Sequence, residues 1–184
     1  HLNADGCYAY YQAIAEAVTV PIFIQNAMGP TGTPMSSQLL ARMCRELPQV
    51  QYVKEETVPQ PLQISATLVA TGSECKGVFG GNGGMHMLDE HRRGAAGNMP
   101  GCQVADVQVQ IWNLLESGDE EGARKIFNRF LPLISFERVY KMPVYKEILY
   151  RRGVIAAPLS RTPGKDMDDL ARTEFERLLA DVEP

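Results

Sequence analysis

The chain of 184 residues carries 18 Lys+Arg against 22 Asp+Glu, a net charge of −4, with 45% hydrophobic and 22% charged residues. That is ordinary globular composition in a chain long enough to bury its own core, and it excludes a disordered acidic chain. The mild negative charge argues against a nucleic-acid-binding domain, which is usually basic, and no apolar run approaches the roughly 20 residues of a membrane span.

Spacings of three and four between Tyr8, Tyr11, Ile14 and Ala15 predict a helix from Cys7 to Ala17. Val18 to Asn26 is short, β-branched and apolar on both faces, as a buried parallel strand is. After the loop Gly29-Pro-Thr-Gly-Thr-Pro-Met35, Ser36 or Ser37 can cap a helix carrying Leu39, Leu40, Met43 and Cys44, closed by Pro48. Val50 to Lys54 is a second strand and Pro59 to Ala70 a helix. Lys76 to Phe79 is a third strand, running into Gly80-Gly-Asn-Gly-Gly84 and a short helix from Met85 to Arg93. Ala95 to Met99 is a weak fourth strand, followed by a helix from Val104 to Leu115. Strands alternating with helices imply βα units and a parallel sheet.

Beyond this the strands stop. Asp119 is expected to cap a helix, Pro132 to interrupt it, and a further helix to run to Arg152 before Gly153. Arg161-Thr-Pro-Gly164 reads as a loop, and Asp166 as the cap of a last amphipathic helix through Leu170, Phe175, Leu178 and Leu179. Cys7, Cys44, Cys75 and Cys102 lie far apart, without CxxC spacing or a companion His. They are expected to be buried, reduced thiols of a cytoplasmic protein. The N-terminus has neither the basic nor the apolar region of a signal peptide. It also lacks an initiator Met, as expected of a chain that starts after a cut or inside a longer gene product.

In α/β folds ligands bind at the carboxyl ends of the strands. Those ends are Gln25-Asn26, Lys54-Glu-Glu-Thr57, Gly80 to Gly84 and Asn98-Met-Pro-Gly101, all polar or Gly-rich after apolar strands. Val50, Tyr52 and Lys54 share a strand face. A lysine there either snorkels to solvent or sits desolvated, with some neutral amine to attack a carbonyl; the pattern leaves both open. Glu55 and Glu56 are its candidate ion partners. The glycine run matches neither GxGxxG nor a P-loop. His86 and His91, five apart, do not share a helix face and suggest no metal. Arg92, Arg93, Arg151 and Arg152 read as solvated or ion-paired.

Strung together, these segments resemble the pyruvate-type class I aldolases and dehydratases, the family of dihydrodipicolinate synthase and N-acetylneuraminate lyase. Pro21-Ile-Phe-Ile-Gln-Asn-Ala-Met-Gly-Pro-Thr-Gly32 resembles the family's strand 5 and Tyr-Asn-x-Pro-Gly-x-Thr-Gly loop. Val50 to Thr57 resembles strand 6 with its Lys-Glu-x-Ser/Thr signature, and Gly94 to Met99 the Gly-Ala-x-Gly-x-Ile motif of strand 8. Gly118-Asp-x-x-x-Ala123, Lys146 and Arg161-x-Pro163 resemble features of its C-terminal helices. The resemblance implies an α/β fold: residues 1–116 as the second half of a (β/α)8 barrel, strands 5 to 8, and 117–184 as a helical extension. A whole barrel takes about 250 residues, so strands 1 to 4, a Thr-Thr carboxylate-binding motif and a second tyrosine are expected outside these residues.

Carried over, Lys54 is the Schiff-base lysine, with no separate cofactor and no metal. Implied substrate-binding positions are Asn26, Glu56, Thr57, Gly80, Gly81, Asn82 and Met99. Gln25 replaces a proton-relaying tyrosine and can orient a water or hydroxyl but not shuttle a proton. Pro30 replaces the arginine that dihydrodipicolinate synthases use for a carboxylate. The pattern is more similar to 2-keto-3-deoxy-L-arabonate dehydratases. The expected activity is dehydration of a 2-keto-3-deoxy sugar acid. The alternatives are pyruvate-dependent aldol cleavage and a non-catalytic 2-oxo-acid-binding paralogue. The expected partners are the small 2-oxo or sugar acid and, by resemblance, further copies in a tetramer, with no nucleic acid and no membrane.

Overall fold

The computed structural model describes residues 2–29, 32–161 and 166–182. The chain divides into two compact units, His1–Met99 and Pro100–Pro184.

The first unit is a parallel sheet backed by helices. Strands β1 (Ile22–Ala27), β2 (Val50–Glu56), β3 (Gly77–Gly80) and β4 (Gly97–Asn98) lie in the order β1-β2-β3-β4. Helix α1 (Ala4–Ala17) precedes β1, α2 (Ser37–Glu46) joins β1 to β2, α3 (Gln60–Thr71) joins β2 to β3, and α4 (Met87–Arg92) joins β3 to β4. Parallel neighbours need such crossovers. The α/β class expected from the sequence is therefore present. Asn3 caps α1 by accepting from Gly6 N at 2.8 Å, so the helix starts three residues before Cys7. Ser36 caps α2 through Leu39 N at 3.2 Å. Pro21 has no N–H for a ladder, and β1 starts only at Ile22 rather than Val18. β4 is short, but Ala96 N donates to Val78 O at 2.8 Å and Met99 N to Gly80 O at 3.0 Å on either side of it.

Strand alternation gives the sheet two unlike faces. Ile24, Val53 and Val78, none with any exposed surface, lie on one face and join Leu40, Met43 and Ile64 of α2 and α3 in the core. Phe23, Tyr52 and Phe79 project from the other. Phe23 stacks on Tyr52 with centroids 4.5 Å apart and meets Phe79 edge-on at 5.2 Å. Such aromatic pairs add about 0.5–1.5 kcal/mol each beyond their buried area. The register sets Gln25 beside Lys54 and Lys54 beside Phe79, so those polar groups continue the aromatic face toward the strand ends.

The second unit is helical: α5 (Ala105–Glu116), α6 (Glu120–Tyr140), α7 (Met142–Arg151) and α8 (Asp169–Val182). α5 and α8 both pack on α6, around Ile111, Phe130, Leu133 and Phe175. The expected boundary at 116/117 differs from this division by α5, whose packing against α6 counts it with the helical unit. Asp119 caps α6 as expected, accepting from Gly122 N at 2.9 Å. Pro132 does not interrupt the helix. Its cost of about 3 kcal/mol is offset by burial of Phe127 and Phe130 before it and Leu133 and Ile134 after it. The break falls instead at Lys141, where φ is +58° and Pro143 opens α7. The last helix is capped by Asp168, which accepts from Ala171 N at 2.8 Å, and not by Asp166. Arg151 forms a bidentate pair with Glu176, and Arg152 pairs with Asp106 at 2.6 Å. Pro30 and Pro163 lie outside the described residues. Cys7 and Cys44 are buried as expected, but Cys75 is half-buried and Cys102 exposed. Among the described residues no helix is long and apolar enough to cross a membrane.

Two stability predictions follow from the helical unit. A side chain at positive φ with strongly negative ψ carries backbone strain of about 1–3 kcal/mol that glycine lacks. Lys141→Gly is expected to raise the unfolding free energy by about 1 kcal/mol in denaturant titration. Burial pushes the Glu137 carboxyl up to about 7, against a lowering hydrogen bond from Gln103. A raised carboxyl favours the folded state below its ordinary range, and that advantage is lost as pH rises through about 7. The difference in stability between the parent and Glu137→Gln should therefore shift by on the order of 3 kcal/mol between pH 4 and 8, at roughly 1.4 kcal/mol per pKa unit.

Candidate active site

β2 ends in two adjacent glutamates, and the two-residue period sends them to opposite faces of the sheet. Glu56 lies on the face of Tyr52 and Lys54. The Lys54 Nζ is 3.4 Å from Glu56 Oε1, and their side chains are only 15% and 12% exposed. Gln25 Nε2 donates to Glu56 Oε2 at 2.5 Å, and the Asn82 backbone N–H donates to Oε1 at 2.7 Å. One carboxylate thus collects donors from β1, β2 and the loop after β3. A partly sequestered ion pair with these extra donors is held far more firmly than a solvated one.

The loop after β3 can approach this closely because of its glycines. A Cβ on Gly81 would collide with the Glu56 carboxylate. Asn82 then takes φ +51°, a left-handed conformation that Asn tolerates better than most residues, and this aims its N–H at Glu56. A Cβ on Gly80 would collide with Glu90 and Asn98 on the other side. Of the expected site residues, the structure therefore brings Gln25, Lys54, Glu56, Gly81 and Asn82 together. Met99 donates its N–H to Gly80 O and its residue is 39% exposed.

Asn26 and Thr57 are placed elsewhere. Both bond Glu55, which has no exposed surface and lies on the helix side of the sheet. Asn26 Nδ2 donates to Glu55 Oε2 at 2.9 Å and to Met35 O at 3.1 Å, while its Oδ1 accepts from Met35 N at 2.8 Å. Thr57 donates to Glu55 Oε1 through its N at 2.9 Å and its Oγ1 at 2.5 Å. Thr67 Oγ1 of α3 adds a fourth donor at 3.3 Å. Asn26 thus ties the loop after β1 to the sheet, and Thr57 turns the chain at the end of β2. Glu55, offered as an ion partner of Lys54, faces away from it.

A second polar group escaped the sequence reading. Glu90 on α4 has no exposed surface and accepts from Gln60 Nε2 and from Asn98 Nδ2, the latter at 2.7 Å. The available signal was periodicity: Glu90 follows buried Met87 by three, and Gln60 heads a buried stripe with Ile64, Thr67 and Thr71. Beside Gln25, a cavity of about 270 Å³ is lined by Cys7, Tyr10, Tyr11, Thr33 and Met35 among others. Burial raises the Tyr11 phenol above its ordinary range.

Substituting Gly81 tests this geometry directly. Gly81→Ala is expected to lower the unfolding free energy by about 1–3 kcal/mol. In a Glu56→Ala background, where the clashing carboxylate is gone, the same change should cost at least about 1 kcal/mol less.

The chain matches the family model described as the dihydrodipicolinate synthetase family over residues 1–182. It is 28% identical over 178 residues to an L-2-keto-3-deoxyarabonate dehydratase of Azospirillum brasilense, covering 96% of this chain and 57% of that protein. A 4-hydroxy-tetrahydrodipicolinate synthase of Pelodictyon phaeoclathratiforme is 33% identical over 169 residues, covering 83% of this chain and 52% of its own. The dihydrodipicolinate synthase structure from Rhodopseudomonas palustris superposes with a TM-score of 0.87 at 26% identity, over 97% of this chain and 62% of that one. That from Thermotoga maritima gives 0.84 at 22% identity, over 98% and 62%. The fold is thus part of a (β/α)8 barrel with added helices, and the chain spans a little over half the length of the curated relatives it matches.

Proposed function

The chain belongs to the dihydrodipicolinate synthetase family, and on that premise we propose that it supplies the Schiff-base half of a lyase that dehydrates a 2-keto-3-deoxy sugar acid. The observation that carries this reading is the sequestered Lys54–Glu56 pair at a strand end, braced by Gln25 and Asn82. The likeness to an L-2-keto-3-deoxyarabonate dehydratase along 96% of the chain supports the sugar-acid branch.

The chemistry follows from these groups. Glu56 takes a proton from the Lys54 ammonium, and the free amine adds to the C2 carbonyl. Loss of water leaves an iminium that acidifies C3. Removal of the C3 proton gives an enamine, whose electrons expel the C4 hydroxyl as water once it is protonated. Hydrolysis of the unsaturated iminium returns Lys54 and releases a 2-oxo acid that has lost one water. Gln25 cannot titrate and its amide N–H is given to Glu56, so of these groups Glu56 is the one that can move a proton. The cavity beside Gln25, with its phenols and Thr33, suits a hydroxylated chain.

Borohydride reduction with pyruvate or a 2-keto-3-deoxy sugar acid, followed by peptide mass spectrometry, tests this. An adduct on Lys54 is expected, lost in Lys54→Arg, and Glu56→Gln should slow turnover by about 10²-fold or more. A dehydratase keeps all its carbons in one product, whereas aldol cleavage releases pyruvate. Absence of any adduct on Lys54 with either ligand rejects the reading.

A further inference from the structure

Glu90 is an expensive residue to bury. A carboxylate in a sheet–helix layer loses its hydration, and leucine would fill the same stripe without that loss. Its surroundings give the compensation. Gln60, only 2% exposed, donates its Nε2 to Glu90 Oε1 and accepts from Asn82 Nδ2 through its own Oε1. Asn82, held at φ +51°, donates its backbone N–H to Glu56 Oε1, and Glu56 pairs with Lys54. An unbroken run of polar contacts therefore passes from α4 through α3 and the loop after β3 to the lysine.

We propose that Glu90 is a positioning residue for Lys54: by orienting the Gln60 amide it fixes the Asn82 side chain, and so holds the Asn82 N–H on the Glu56 carboxylate. The assignment rests on the Schiff-base reading of Lys54. A left-handed residue with glycines on both sides has many alternatives, and the side-chain bond to Gln60 restricts them from the α3 side, alongside the Met85 N–H on the Asn82 carbonyl. Gly80 serves the same end, since any larger residue there would push Glu90 and Asn98 apart.

The Glu90 carboxyl is raised to about 7: burial lifts it, bonds from Asn98 and Gln60 lower it, and the charges of Asp89 on its own helix and Glu56 across the sheet add to the rise. His91 and Arg92 share its helix, with His86 just before it and Arg93 just after, Arg93 paired with Asp89 at 3.1 Å. α3, β3 and β4 bring no charged residue. Protonation need not break the run. Asn98 Oδ1 is buried without a hydrogen-bond partner, so a half-turn of that amide gives a protonated Glu90 an acceptor while its other oxygen still receives Gln60. Glutamine at position 90 can make the same pair of bonds, and leucine can make neither.

The test compares the full chain with Glu90→Leu and Glu90→Gln by native-state hydrogen exchange, reading the amide of residue 82 against that of buried Val53. Glu90→Leu should speed exchange at 82 relative to Val53 by about five- to tenfold, the equivalent of one lost hydrogen bond, and Glu90→Gln by less than about twofold. Reductive trapping of Lys54 with pyruvate should slow about tenfold in Glu90→Leu and recover in Glu90→Gln. If Glu90→Leu does not fold, Asn82→Gly replaces it, keeping the left-handed backbone and cutting the side-chain link, with the same loosening expected. An unchanged 82-to-Val53 exchange ratio, or unchanged trapping in the variants that cut the run, overturns the assignment. Failure of the Schiff-base reading shows differently, as no adduct in the parent itself.

Discussion

A carboxylate has no proton of its own to offer, so Glu56 can only collect donors. It collects them from three elements: Gln25 on β1, Lys54 two residues back on β2, and Asn82 in the loop after β3. Each imposes a condition on the chain around it. Gln25 must lie opposite Lys54, which requires the observed β1–β2 register. A slip of one residue would turn the whole aromatic and polar face of either strand to the helices. Asn82 must come within bonding distance, which excludes any side chain at position 81. The strands are short, yet the identity of the residues at their ends is tightly constrained.

Behind the sheet, two further carboxylates do related work. Glu55 receives four donors, from Asn26, Thr57 and Thr67, and through Asn26 it closes the loop after β1. Glu90 receives two amides and reaches the loop after β3. Each is buried among apolar helix residues at an electrostatic cost, met by dense hydrogen bonding. Apolar packing could not replace them in kind, because a methyl group holds a loop in no particular direction. Hydrogen bonds fix direction, and both loops lie at strand ends, where direction decides what a ligand meets.

The strands and the facing of Lys54 were legible in the sequence because they rest on short-range rules: apolar runs, a period of two, and helices between; the strand order was implied only by the family resemblance. The period of two that sets Lys54 beside Glu56 also sets Asn26 and Thr57 on the opposite face of the sheet. Motif adjacency puts them next to Gln25 and Glu56, but adjacent strand residues face opposite ways, and beside Gln25 and Glu56 they turn to the helix layer. Glu90 and Gln60 belong to no motif that would single them out. Their burial depends on which helix packs over which strand, a long-range fact. Pro132 and Lys141 make the complementary point. Proline is a local signal for a break, but burial on both sides of it outweighs the signal, and the break moves to a lysine with no intrinsic preference for positive φ.

Gln25 sharpens what the site asks of its neighbours. A phenol at that position could both accept and return a proton, leaving the carboxylate next to it free to act only as a charge. An amide can do neither, and its N–H is committed to Glu56. In the proposed reaction, and among the groups of this chain, proton transfer at the lysine then falls to Glu56 or to water. That makes the orientation of one carboxylate matter more here than in a site with a titrating phenol beside it. A group that must both pair a cation and move a proton has to be held in place without being immobilised by a second strong cation. Neutral amide donors, one from a side chain and one from the backbone, meet that requirement, and a further arginine would not.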